Sequence, residues 1–400
     1  MADDAGHEHD HDVESEGEPR VSPLELFFDL VFVFALTQVT ALLAADLTPA
    51  GLLRGLAVLA IVWWSWVGFS WLTNYVASDD GWTRLVLFAS MGAMLVMSLA
   101  VPTAFGSGGV TFGAGYVALS LLFIATYAVT TRRDPEVFGA VLRLAPGVLV
   151  PAALILAAGF LDAGVGRAVL WALALLIAMI GPFLSGTEGW RVHAGHFSER
   201  HALIVIIALG ESIVSIGVGL SGEELGPGQL SGAMLGLIAC CCLWWLYFDV
   251  VALVAERRLH AAEGSERNAM ARDSYSYLHF PMVAGIVLFA LGVKKVLIDV
   301  DGPLKQVALA ALLGGVALYL LGHVGFRLRN TGTLNTQRLV LAVVLLVAWP
   351  FLGGVDSLAV LVGATTALVL LVGYETVKYR KARHAVRAHG EGGSWGREAR

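Results

Sequence analysis

Apolar residues in this 400-residue chain fall in long unbroken runs, without the two-residue alternation of a half-buried strand. Twelve such runs lie near 24–45, 51–75, 84–104, 110–130, 137–159, 166–185, 198–220, 229–255, 273–297, 303–326, 336–354 and 356–378. Each holds about the 20 residues that a helix needs to cross a hydrocarbon core ~30 Å thick. Backbone polar groups in lipid must bond within their own segment, so runs of this length predict helices and not open strands. The expected fold is therefore all-α, a polytopic transmembrane helical bundle of about 12 spans.

Composition supports that expectation. The chain is 57% hydrophobic and 14% charged, with mean hydropathy +0.74. A soluble domain carries about a quarter of its residues as charges, because water must wet its surface. The first twenty residues are acidic and rich in histidine, without the basic start of a signal peptide, so the first apolar run is expected to remain as a helix. Cys240, Cys241 and Cys242 are consecutive within an apolar run. Successive helical positions point about 100° apart, which favours small packing residues over a metal site or disulfide.

Basic residues set the expected orientation. With twelve spans, 21 of the 26 Lys and Arg residues fall on the side of the chain ends and 5 on the other. That bias places both termini in the cytoplasm of a cell with an inner membrane. The same alternation supports the span count, since one missed helix would scramble every later assignment.

The chain also reads as two like-oriented six-helix halves, 22–185 and 186–378, between an acidic His-containing tail at 1–21 and a basic tail at 379–400. Trp63-Trp64 match Trp244-Trp245 at an offset of 181, and Asp29 precedes Glu211 by 182. An even number of spans per half implies an axis along the membrane normal. The competing explanation is that apolar helices resemble one another by composition. His7, His9 and His11 alternate with acidic residues, a pattern of a solvated tail or a loose divalent-metal site.

Ionisable groups inside spans are the informative ones, because each costs about 2.5–3.5 kcal/mol on insertion scales and normally faces the bundle interior. Ser22 and Pro23 suit the start of the first helix, and Glu25 lies in its first turn, as a capping carboxylate or a functional one. Asp29 is one turn deeper on the same face, where no capping role explains it. Glu199, Arg200 and His201 mark the start of the seventh span. Glu211 lies twelve residues past Glu199, about 18 Å in and near the midplane, followed by Ser212 and Ser215. Asn74, Asp79, Asp80, Arg143 and Asp249 are further candidates. So are Asp273, Tyr277, His279 and Pro281 in the ninth span, where His279 has the chemistry to carry protons near neutrality.

Four segments in order, Pro23-Leu-Glu-Leu-Phe-Phe-Asp-Leu-Val-Phe-Val, His196-Phe-Ser-Glu-Arg-His with Ala208-Leu-Gly-Glu-Ser, Trp244-Trp-Leu-Tyr-Phe-Asp249, and Tyr275-Ser-Tyr-Leu-His279-Phe-Pro, resemble the bacterial low-temperature-requirement protein A family. The resemblance implies a multi-spanning bacterial membrane protein and supplies no substrate. It marks the motif residues as the ones to test.

Among function classes, a secondary transporter, with proton coupling as one option, fits twelve spans and intramembrane carboxylates best. Its expected substrate or coupling residues are Glu25, Asp29, Glu199, Arg200, His201, Glu211, Ser212, Asp249 and His279, with Arg143 as a further partner. A membrane-embedded enzyme is the alternative. Against it stands the lack of a His-Glu-x-x-His site, a Gly-x-Ser-x-Gly elbow and a phosphate loop. His193, His196, Glu199 and His201 have no standard metal spacing. A channel or a stress-related membrane protein is a third class. No catalytic residues, cofactor or metal are expected, and the partners are the lipid bilayer and an unidentified small solute or ion, not nucleic acid. Sequence does not set the oligomeric state.

Overall fold

The computed structural model describes residues 20–76, 81–221 and 225–380. Asp79, Asp80, the tail histidines and the basic residues beyond 380 lie outside these. Fourteen α-helical segments run in order through the described residues. They are α1 (Pro23–Ala45), α2 (Pro49–Tyr75), α3 (Gly81–Leu99), α4 (Gly109–Thr131), α5 (Pro135–Gly159), α6 (Val165–Leu184) and α7 (Ala194–Gly219). They continue as α8 (Pro227–Phe248), α9 (Val251–Ala261), α10 (Gly264–Met270), α11 (His279–Ile298), α12 (Gln306–Thr331), α13 (Thr336–Ala348) and α14 (Ser357–Lys378). Merging segments that continue one another leaves eleven helices long and apolar enough to cross a membrane, and a shorter apolar one at Thr336–Phe351. The chain is a multi-pass membrane protein with the all-α architecture its hydropathy predicts.

One expectation needs correction. The stretch 256–272 reads as a loop because it is charged, yet α9 and α10 occupy most of it. Ala255 and Leu259, four residues apart, are buried while Arg258 and His260 point outward, so this stretch is an amphipathic helix extending the eighth span. The eighth and ninth rods are consequently 35 residues long, beyond what a bilayer requires.

Helix starts follow local chemistry. Ser22 Oγ accepts from the Glu25 N–H and the Glu25 carboxylate accepts from the Ser22 N–H at 2.9 Å, a reciprocal capping box with Pro23 in the first turn. Thr48, Asp134 and Asn335 cap α2, α5 and α13 one way, each side-chain oxygen accepting from a first-turn N–H. Gly332 takes φ +66° and ends α12, a conformation that only a residue without Cβ adopts freely.

The core sits around α11 and α12. Of the most apolar window of the ninth rod, 78% is buried by protein, against 28% for α5 and α6, which therefore form the lipid-facing periphery. α11 and α12 meet backbone to backbone. A Cβ on Gly285 would stand 2.6 Å from the Gly315 carbonyl oxygen, so glycine on both sides sets the approach. In the first part of the chain α1 packs on α2 and α3, α3 on α4, α4 on α5, and α5 on α6. In the second, α7 packs on α8 and α11, α11 on α12, α12 on α13, and α14 on α8 and α13. α1 and α7 lie directly against each other and join the two sets.

Candidate functional site

Where α1, α2 and α7 meet, Arg200 binds two acids at once. Its Nη1 donates to Glu25 Oε1 at 3.1 Å and to Thr73 Oγ1 at 2.7 Å, and its Nη2 donates to Asp29 Oδ1 at 2.6 Å. The Trp66 indole N–H reaches the same Asp29 oxygen at 2.8 Å, while the guanidinium sits 5.6 Å from the centre of the Trp66 ring. Glu25, Asp29 and Arg200 are each at most 1% exposed, so no bulk water shares the charge. Removing ions from water costs several kcal/mol apiece, and close pairing with additional hydrogen bonds offsets it.

His196 completes the cluster, its Nε2 lying 3.1 Å from Glu25 Oε2. Its protonation follows from its other neighbour. Asn74 Oδ1 accepts from the His193 backbone N–H and Asn74 Nδ2 donates to the His193 carbonyl, which fixes the amide orientation. The same Nδ2 faces His196 Nδ1 at 3.1 Å, so Nδ1 is an acceptor, and His196 is neutral with its proton on Nε2. Two carboxylates therefore share one guanidinium, and Asp29 Oδ2 is buried without a partner.

Glu211 lies deeper on the same interface. Thr37 Oγ1 donates to its Oε2 at 2.5 Å and Ser215 Oγ to its Oε1 at 3.0 Å. No Lys or Arg of the described residues forms an ion pair with it, and it is 1% exposed. Glu211 is eleven residues beyond Arg200, about 16 Å along the helix. The contacts correct the expected register of α1 and α7. Level pairs are Asp29 with Arg200 and Thr37 with Glu211, separations of 171 and 174 residues, so Asp29 and Glu211 occupy different depths despite their 182-residue offset.

The structure divides the sequence candidates. Glu25, Asp29 and Arg200 converge, with Glu211 on the same helix pair. His201 is buried beside them, with Nδ1 on the Phe197 carbonyl and its ring 5.1 Å from Trp66. Ser212 bonds back to the Ala208 carbonyl, leaving the carboxylate to Ser215. Glu199 is exposed at the start of α7 and accepts from the Val21 N–H. His193, His196, Glu199 and His201 thus point to different neighbours. Arg143 is held by the Ser185 and Glu188 carbonyls, away from the carboxylates. His279 accepts from the Tyr247 hydroxyl at 2.8 Å and donates to the Ser274 carbonyl, and Asp249 lies at the end of α8.

Sequence reasoning missed Trp66, Thr73 and Thr37, whose importance comes only from which helices face each other. It also gave Arg338 no role beyond the count of basic residues. Arg338 is buried in a two-bond pair with Glu375, at 3.0 and 2.7 Å, and donates to His323 Nδ1 at 2.9 Å. A histidine in the tenth run and a glutamate in the last were the available signals. Between α10 and α11, Ala271–Tyr277 forms a π-helical stretch. Its Ser276 accepts from Trp63 and Trp71, tying the α11 rod to α2.

A sequence profile described as bacterial low temperature requirement A protein (LtrA) matches residues 20–373. The chain belongs to the LtrA family. An uncharacterized protein of Rhizobium meliloti (strain 1021) is 31% identical over 291 residues, 70% of each chain. Within this LtrA protein, the matched region contains the whole α1–α2–α7 cluster, Glu211 and the Arg338–Glu375 pair except for its glutamate.

Proposed function

We propose that this LtrA-family protein is a secondary transporter of a bacterial inner membrane, coupled to protons bound at the carboxylates between α1 and α7. One observation carries the reading: on that interface two buried carboxylates, Glu25 and Asp29, share a single buried guanidinium, Arg200, and a third, Glu211, is buried farther along α7 with hydroxyl partners and no ion pair among the described residues. Uncompensated charge in a low-dielectric interior is expensive, and a bound proton relieves it. Asp29 Oδ2, which has no partner, and Glu211, which has only hydroxyl partners, are the two places for that proton.

The placement suits alternating access. α1 and α7 open the two six-helix halves, which we read as like-oriented repeats around an axis along the membrane normal. A proton arriving at Asp29 weakens the hold of Arg200 in α7 on α1, so loading and helix movement are coupled. Positive-inside bias places the Arg200 end of the bundle at the cytoplasm.

The test is proton movement in proteoliposomes carrying a trapped pH-sensitive dye, screened against panels of small solutes and ions. A solute-dependent proton flux is expected, and Glu211→Gln and Asp29→Asn are expected to abolish it while still inserting and folding. Full activity in both variants would reduce these carboxylates to hydrogen-bonding struts and remove the coupling reading.

A further inference from the structure

Asn74 is the last residue but one of α2, and its side chain reaches His193, the residue that precedes α7. A primary amide carries an acceptor and a donor side by side, so it can pair with a backbone N–H and C=O as a neighbouring strand would. Asn74 does this with His193, accepting from the N–H at 2.8 Å and donating to the carbonyl at 3.0 Å. Reversing the amide would set donor against donor and oxygen against oxygen. Asn74 and His196 are both 4% exposed, so bulk water does not make up the two lost bonds. The amide has one orientation.

His196 takes its state from that orientation. The second Nδ2 hydrogen of Asn74 points at His196 Nδ1, 3.1 Å away, and only a lone pair can meet it. A proton on Nδ1 would leave two donors facing each other in a site closed to bulk water. His196 is thereby held as a donor through Nε2 alone, to Glu25 Oε2. The same oxygen accepts from the Ser22 N–H at 2.9 Å, and Glu25 Oε1 accepts from Arg200 at 3.1 Å. Three donors therefore converge on Glu25, and none needs it protonated. Asp29 Oδ2, one turn deeper, receives no bond.

We propose that Asn74 is a positioning residue of this site: acting through His196, it bars a second proton from the imidazole and leaves Asp29 to take a proton that enters the cluster. The destination at Asp29 rests on the coupling reading above; the hold on His196 does not. The charges around the imidazole oppose one another, since Glu25 of α1 favours its protonation and Arg200 of α7 disfavours it. His201 of α7 is turned to the Phe197 carbonyl, and Glu199 is exposed and accepts from the Val21 N–H. At the end of α2 the titratable side chain is Tyr75, which donates to Asp134, itself paired with Arg191 at 2.9 Å. The group that decides between the opposing charges is the Asn74 amide.

The test is solid-state NMR of the full-length protein in lipid with isotope-labelled histidine ring nitrogens, the His196 signals being assigned by their loss in His196→Gln. An unconstrained imidazole is mostly charged at about pH 6. Native His196 is expected to show one bare and one protonated nitrogen there. Asn74→Asp is expected to show two protonated nitrogens, because its carboxylate accepts where the amide donated. Asn74→Ala, which adds no buried charge, is expected to raise the charged share at the same pH. Unshifted signals of His201 and His279 report that each variant keeps its fold. A doubly protonated His196 in the native protein, or a neutral one in folded Asn74→Asp and Asn74→Ala alike, would overturn the inference. A neutral His196 that responds to Asn74→Asp while no carboxyl group titrates would instead retire the coupling reading and keep the hold on His196.

Discussion

Arg200 of α7 and Asp29 of α1 are joined by a 2.6 Å hydrogen bond with neither side chain more than 1% exposed. This contact links α1 directly to α7, and Glu25 and Trp66 converge on the same two groups. A buried pair of this kind is sensitive to losing one member. Arg200→Met leaves two carboxylates facing each other without a cation and is expected to destabilise the fold by about 3–5 kcal/mol. The triple change Arg200→Met, Glu25→Gln, Asp29→Asn should recover much of that loss. Thermal unfolding of the purified variants measures both; equal stability of the single and triple variants would contradict the pairing.

Trp66→Phe keeps the ring and removes the indole donor to Asp29 Oδ1. The expected cost is about 1–3 kcal/mol, that of leaving a buried acceptor short of one bond, and it should vanish in an Asp29→Ala background, which has no acceptor. A double-mutant cycle on thermal stability measures the coupling.

The backbone approach of α11 and α12 gives a prediction with an internal control. Gly285→Ala places a methyl 2.6 Å from the Gly315 carbonyl oxygen and is expected to cost about 1–3 kcal/mol. Gly363→Ala, in α14 with nothing within 4 Å of the added carbon, is expected to be neutral or stabilising by up to about 1 kcal/mol. The unfolding temperature should fall in Gly285→Ala and hold or rise in Gly363→Ala.

Much of the architecture was legible in hydropathy alone, because lipid forces long apolar runs into helices wherever they occur. The candidate site was legible in its carboxylates, which have no reason to be in a span unless something inside binds them. Its cation was also visible, as Arg200 in the motif around His196. What could not be read was registry. Asp29 and Glu211 fall at similar sequence offsets, yet their depths differ because α1 and α7 pair Asp29 with Arg200 and Thr37 with Glu211. The Arg338–Glu375 pair was hidden for a related reason: a cation at the end of a short span looks solvated until the neighbouring helix is known.

The proposed orientation, with the Arg200 end of the bundle at the cytoplasm, rests on the distribution of basic residues and is tested by single cysteines in a background without the native three. Cysteines at Gly108 and Gly226 are expected to react with an impermeant reagent in intact cells, and cysteines at Ser265 and Thr333 only after lysis. Reversed labelling of both pairs would turn the protein over and place the Arg200 cluster at the outer face.

The central claim is that the α1–α7 interface takes up and releases protons on its carboxylates. The most direct measurement is infrared difference spectroscopy of the purified protein while pH is varied across the physiological range. A protonated-carboxyl C=O band that rises and falls with pH is expected, part of it lost in Glu211→Gln and part in Asp29→Asn. A spectrum in which no such band changes with pH, or in which neither substitution alters it, would contradict the account and leave the interface as fixed ion-pair scaffolding.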